Sequence, residues 1–206
     1  MTEATAKKTR TRKTSASKTT TTAKRKPVSL ELPKNPLLFE VFDLASRQRT
    51  KAKKVEVLQK HASLSVKSVL IWNFDETVIS ALPEGDVPYG DPEDQLKYDG
   101  TLSEKIAVES RQMYEDGSFS LGTSDPGAKT TIRAQTKNLY HFVKGGNNGL
   151  SPMRRESMFI NLLQSIHPLE AEILCLVKDK RLEEKYKITK EVAAEAFPDI
   201  RWGGRS

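Results

Sequence analysis

Lysine and arginine give this sequence most of its scope for chemistry, and the chemistry they suit is phosphate binding. Lys7, Lys8, Arg10, Arg12, Lys13, Lys18, Lys24, Arg25 and Lys26 fall within residues 1–27, opposed there by Glu3 alone, so this stretch carries +8. A second set lies in Arg47-Gln48-Arg49-Thr50-Lys51-Ala52-Lys53-Lys54. Further candidates are Lys144 ahead of Gly145-Gly146, the adjacent Arg154 and Arg155, and Lys178, Lys180 and Arg181. Cations of this kind neutralise phosphates and release condensed counterions, which needs no defined geometry. Arg154 and Arg155 fall in the first turn of an expected helix, where cations oppose the macrodipole and an anionic partner would account for them. Each position also has a plainer reading as a solvated helix face. The first stretch can equally be a solubilising or linker tail, or an import signal around Lys24-Arg25-Lys26.

Other chemistry is thin. His61, His141 and His167 are scattered without metal-ligand spacing, so no metal and no cofactor is expected. The single cysteine excludes a disulfide framework, and Cys175 sits in Ile173-Leu174-Cys175-Leu176-Val177, where a packing thiol is expected. Gly145-Gly146-Asn147-Asn148-Gly149 lacks the preceding strand and following Lys-Ser/Thr of a phosphate loop and reads as an interhelical connection.

The elements that must position these cations follow from composition and period. The chain has 206 residues, a net charge of +7 and 36% hydrophobic residues. That is lean beside the roughly 45–50% of an average domain, so part of the chain is expected not to fold. Residues 1–27 hold nine threonines and, after Met1, no apolar residue larger than alanine. They cannot bury enough surface to offset ordering entropy, and a disordered basic tail is expected. Residues 28–82 carry +2, residues 83–126 carry −8 and residues 127–206 carry +5. The middle stretch is also rich in Pro and Gly, and reads as an acidic, loop-rich insertion with one short helix over 102–113. Apolar runs such as Val69-Leu70-Ile71-Trp72 fall far short of the about 18–20 residues of a membrane span, and no apolar leader follows Met1. A soluble intracellular protein is expected.

Helical spacing dominates the rest. Asn35-Pro36 reads as an N-cap and first helical position ahead of Leu37, Leu38, Val41, Phe42 and Leu44. Thr50 and Ser63 read as caps of the next two helices, the third running to Phe74-Asp75 before a short extended run, Thr77-Val78-Ile79. Later helices are expected from Ile132 to Val143, ended by Gly145-Gly146, then after Ser151-Pro152, from Pro168 to Lys178, and after Thr189. Strand alternation is nearly absent. The expected fold is all-α: a compact multi-helix bundle whose halves, 28–82 and 127–206, are split by the insertion.

Two blocks carry a resemblance. Residues 37–83 run helix, basic turn, a helix ending at Lys60-His61, then Ser68-Val69-Leu70-Ile71-Trp72-Asn73-Phe74-Asp75; residues 139–200 include Lys178-Asp179-Lys180-Arg181-Leu182 and Ala196-Phe197-Pro198. In order and pattern these resemble the N-terminal helical DNA-binding domain of bacteriophage-type ATP-dependent DNA ligases. Small proteins of tailed phages look similar, with Ala81-Leu82-Pro83-Glu84-Gly85 and Arg155-Glu156-Ser157-Met158-Phe159. The resemblance implies a module that clasps duplex DNA by its backbone, in a phage protein acting in the host cytoplasm or carried in the virion.

Lys97-Tyr98-Asp99-Gly100 matches the K-x-D-G motif whose lysine is adenylated in those ligases. Three features go against catalysis. The motif falls inside the insertion, ahead of the second block. Residues 90–96 are not the buried strand a catalytic lysine needs. Only 106 residues follow, too few for a nucleotide-binding sheet beside the expected helices. Trp202 can pack back on the body or serve as a docking peptide. The expected function is a non-catalytic, largely sequence-independent duplex-DNA-binding accessory protein of phage DNA metabolism. Its rivals are a protein–protein adaptor of a replication or transcription complex, built on the acidic segment, and a virion-associated protein.

Overall fold

The computed structural model describes residues 31–116 and 128–204. The expected basic tail, with Lys7, Lys8, Arg10, Arg12, Lys13, Lys18, Lys24, Arg25 and Lys26, lies outside the described residues, as does the end of the acidic insertion.

Local capping chemistry sets most helix starts. Thr50, Ser63, Thr101, Thr131, Ser151 and Thr189 each turn a hydroxyl to a backbone N–H of the first turn, opening α2 (Lys51–Lys60), α3 (Leu64–Phe74), α5 (Leu102–Glu115), α6 (Ile132–Gln135), α7 (Pro152–Ser165) and α10 (Lys190–Ala196). Asp91 does the same for α4 (Pro92–Lys97), whose first residue is proline. α1 (Leu38–Ser46) begins two residues beyond the expected start. Leu37 is its N-cap, and its N–H donates to Glu40 at 2.8 Å, so a carboxylate reaching back replaces the cap expected of Asn35. α8 (Pro168–Lys178) is capped by His167, whose Nδ1 accepts from the Leu169 N–H, and α9 (Leu182–Tyr186) ends on Lys187 in the left-handed region.

The fold is all-α, as expected. Among the described residues there is no strand, and the one β-type pairing is the isolated antiparallel bridge Ser80–Val143, which ties the two halves together. Ala81 N–H donates to the Phe142 carbonyl and Lys144 N–H to that of Ile79, both at 2.8 Å. The helix expected over 132–143 is instead α6 followed by a 3₁₀ segment, Thr136–Phe142, which frees Val143 to extend into that bridge. A Cβ on Gly146 would lie 1.9 Å from the Tyr140 carbonyl oxygen, so the turn that follows closes only with glycine.

α8 is the central element, packed by α1, α3, α5 and α7. Leu169, Ala171, Ile173, Leu174 and Val177 are wholly buried, against Phe39, Phe42 and Leu44 of α1 and Val66, Val69 and Leu70 of α3. Glu170, on the first turn of α8, is 0% exposed and accepts from Leu38 N–H and Ile132 N–H, each at 2.9 Å. One carboxylate thereby satisfies orphan donors at the starts of two other helices.

The acidic segment is more structured than its composition suggests. α5 lies along α8 with Leu102, Ile106 and Ser110 buried, and Ser110 Oγ and Lys185 Nζ both hydrogen-bond Glu172. Residues 102–116 belong to the body. Residues 83–101 form the loop, interrupted by α4, which periodicity did not reveal. Trp202 packs back: it lies against the core, and Gly203 N–H donates to both oxygens of the buried Asp75 carboxylate.

Candidate nucleic-acid interface

Two chain turns that are far apart in sequence meet at one groove. Arg49, Lys51 and Lys54 come from the α1–α2 turn and the start of α2, and Lys187, Thr189, Glu191 and Val192 from the α9–α10 turn; together they line a cavity of about 390 Å³. The packing of α2 on α10 holds the turns together. Lys54 Nζ donates to the Lys187 carbonyl at 2.5 Å, which the left-handed turn at Lys187 leaves outside the helix, and Lys51 pairs with Glu195 at 2.8 Å. Lys53 stands exposed on the same first turn. That turn holds three lysines and no acid of its own, the reverse of the order the helix dipole favours, so an anion placed there relieves the crowding of like charge that Glu191 and Glu195 of α10 only partly offset. Lys187 is not among the cations that the sequence singles out. No local signal marks it, because its place depends on α10 meeting α2.

The remaining cations from the sequence have different roles. Arg155 binds three backbone carbonyls, those of His141 (2.8 Å), Asn147 (2.9 Å) and Leu150 (3.2 Å), so it clamps the glycine-rich connection onto α7. Lys178 is only 3% exposed and donates to the carbonyls of Pro83 and Gly85, both at 2.8 Å, and to Asp179. Lys180 donates to the Asp75 carbonyl at 2.7 Å, and burial draws its pKa below the ordinary lysine value. Arg181 is held by Glu184 through three hydrogen bonds, and that pairing raises the guanidinium pKa. Arg47 pairs with Asp43 at 2.6 Å, where burial raises the carboxyl pKa in spite of the guanidinium. Lys144 and Arg154 are exposed. Lys144 lies on a second cleft of about 620 Å³, shared with Lys178 and Lys180 and with Glu76, Glu84, Glu156 and Asp179. Carboxylates outnumber amines there, so it is no seat for phosphate.

The structure therefore brings Arg49, Lys51, Lys53 and Lys54 together with Lys187, with Lys54 already bonded to the Lys187 carbonyl and Lys51 paired with Glu195. It sets Arg154 and Lys144 elsewhere, and commits Arg47, Arg155, Lys178, Lys180 and Arg181 to internal partners. Lys97 ends the exposed α4 and pairs with Asp94 at 3.5 Å. Burial pushes the Cys175 thiol up to about 12, as suits a packing thiol. Trp72, Phe142 and Phe159 stack in the core and offer no platform for bases. Among the described residues no group of His, Cys, Asp and Glu side chains could hold a metal ion, and no helix is long and apolar enough to cross a membrane.

Neither the curated proteins nor the solved structures contain a match to this chain. One family matches, in two segments, residues 41–125 and 118–184, which together run from α1 through both halves of the bundle and the acidic segment between them. The elements that build the groove's first wall, the central α8 and its Glu170 anchor all fall inside that match, and the chain belongs to this family of unknown function, DUF6433.

Proposed function

We propose that this chain is a non-catalytic accessory protein that binds duplex DNA through its phosphates, with little regard to sequence. The observation that carries the reading is the groove where Arg49, Lys51, Lys54 and Lys187 line one cavity at the start of α2. Phosphates need donors and positive charge, and a helix start crowded with lysines supplies both. The nine bases of residues 1–27 add a geometry-free contribution to the same anion. Among the described residues no aromatic ring lines the groove, which favours a duplex over single strands, since those bind by stacking on exposed rings. The resemblance to the helical clasp of phage-type ligases supports the same reading, with a place in phage DNA metabolism in the host cytoplasm or the virion.

The test is fluorescence anisotropy with a labelled duplex of unrelated sequences, comparing the full chain with R49Q/K51Q/K53Q/K54Q. Arg49, Lys51 and Lys53 are exposed and Lys54 is half-buried, and thermal denaturation of the variant checks that loss of the Lys54–Lys187 bond leaves the bundle folded. The four-fold variant is expected to bind at least about tenfold more weakly and to lose about 1 from the salt slope for each phosphate contact removed. Equal binding by both chains sinks the proposal. A protein–protein adaptor is the second reading, favoured by the exposed Leu96 and Tyr98 of the acidic segment. Failure of the full chain to bind duplex at low salt decides for it.

A further inference from the structure

α4 is a helix that nothing in the bundle accounts for. It has six residues, none of them buried. Helices shorter than about 12–15 residues are marginal in water, and those in proteins draw their stability from a packed face. α4 has an N-cap and a leading proline, but its apolar residue points outward: Leu96 is 88% exposed. Tyr98 is 43% exposed and stacks on Tyr89 at 5.9 Å, leaving its other side to Lys105 at 4.0 Å. Around this apolar tip stand Glu84, Asp86, Asp91, Glu93, Asp94 and Asp99, with Lys97 as the sole base between residues 84 and 99, a net of −5.

We propose that residues 1–27 of the same chain dock on this face. The aliphatic stems of their lysines would cover Leu96 and the exposed edge of Tyr98, and the ammonium groups would meet Glu93, Asp94 and Asp99. Charge argues for this occupant, since residues 1–27 carry +8 and residues 84–99 carry −5. Reach argues for it too. Leu38 is bonded to Glu170 near the start of α8, and Gly85 to Lys178 at its end. Glu170 and Lys178 are eight residues apart, a rise of about 12 Å along α8, and residues 28–37 and 86–92 add length at either end. A 27-residue coil spans roughly 25–30 Å root-mean-square, so the arm meets the face at an effective concentration on the millimolar scale. The docking itself does not depend on nucleic acid. Its release by duplex DNA rests on the function proposed above, the arm exchanging carboxylates for phosphates.

Carbodiimide cross-linking of the wild-type full chain, mixed in light and heavy isotopic forms and read by mass spectrometry, tests this. The expected result is bonds from Lys7, Lys8, Lys13, Lys18, Lys24 or Lys26 to Glu93, Asp94 or Asp99 within one isotopic chain. They should be lost at about 0.5 M salt, where the Debye length falls to roughly 4 Å. Tail bonds no more frequent there than to Glu56 or Glu195, or bonds joining light to heavy chains, overturn docking within the chain. Duplex of about 25 base pairs should suppress the bonds, and E93Q/D94N/D99N should bind that duplex about three- to tenfold more tightly. Bonds that persist with a duplex the chain does not bind leave the docking standing and remove the proposed function. Bound duplex that leaves the bonds intact, or unchanged affinity in the triple variant, removes the competition.

Discussion

Glu170 shows how much a single side chain can hold. Its carboxylate is the partner of Leu38 N–H and Ile132 N–H, and it sits wholly out of water. Glu170→Ala leaves two buried donors unsatisfied and is expected to cost about 2–4 kcal/mol in chemical denaturation. Titration gives a finer test. Burial raises this carboxyl above its ordinary pKa, and the two N–H groups and Arg133 only partly oppose that. The folded pKa therefore exceeds the unfolded one, so the stability linked to this proton is full below the unfolded value and is lost as pH rises through the folded value. Glu170→Gln removes that proton. Wild-type stability should fall relative to the variant as pH rises from the ordinary glutamate value through the higher folded one; a relative rise would mean the N–H donors outweigh desolvation. Lys178 follows the same logic with the opposite charge. Lys178→Met orphans the Pro83 and Gly85 carbonyls and is expected to cost about 2–3 kcal/mol while leaving the salt dependence of any duplex binding untouched. A flattened salt slope in that variant would return Lys178 to the DNA-contacting set.

At the scale of elements, the helices were legible where their information is local. Thr50, Ser63, Ser151 and Thr189 announced their helices because a cap hydroxyl and the apolar period behind it lie within one turn of sequence. What could not be read was anything decided across the chain. α4 and α9 are too short to show a period, and the start of α1 is set by Glu40 and the distant Glu170 rather than by Asn35. The basic residues divide along the same line. Lys51 and Lys53 kept their expected exposure because the first turn of α2 faces out, whereas Lys54, Arg155 and Lys178 point into carbonyls supplied by turns and loops that composition alone cannot locate. Arg155→Ala should therefore act on an element. It frees the connection between Phe142 and α7, and the amides of residues 143–150 are expected to exchange at least about tenfold faster, with the core helices unchanged. Protection unchanged in that connection would show that the Ser80–Val143 bridge and the glycine turn hold it without the arginine.

For the whole molecule, the governing fact is where charge sits in relation to the fold. A chain of +7 that carries +8 on residues 1–27 and −8 on residues 83–126 cannot present a uniform positive field. Its described surface instead offers one cationic groove, at the α1–α2 and α9–α10 turns, and one acidic projection, at α4. If the chain binds duplex DNA as proposed, electrostatic binding divides between a fixed contact of few phosphates at the groove and an arm exchanged between α4 and DNA. These contributions separate by salt. If about six arm charges reach phosphates, log K should fall by roughly 5 per decade of salt from the arm alone, and each groove cation should add about 0.9. Replacing the nine bases of residues 1–27 with glutamine in the full chain should remove the larger part of the slope and leave the smaller. The acidic projection makes the outcome asymmetric. At low salt the arm's gain is reduced by what it gives up at α4, so the slope should steepen once Glu93, Asp94 and Asp99 are neutralised. A slope that survives loss of the arm bases intact would place all the binding in the groove; one that vanishes with them would make the groove a neighbour of the contact rather than part of it.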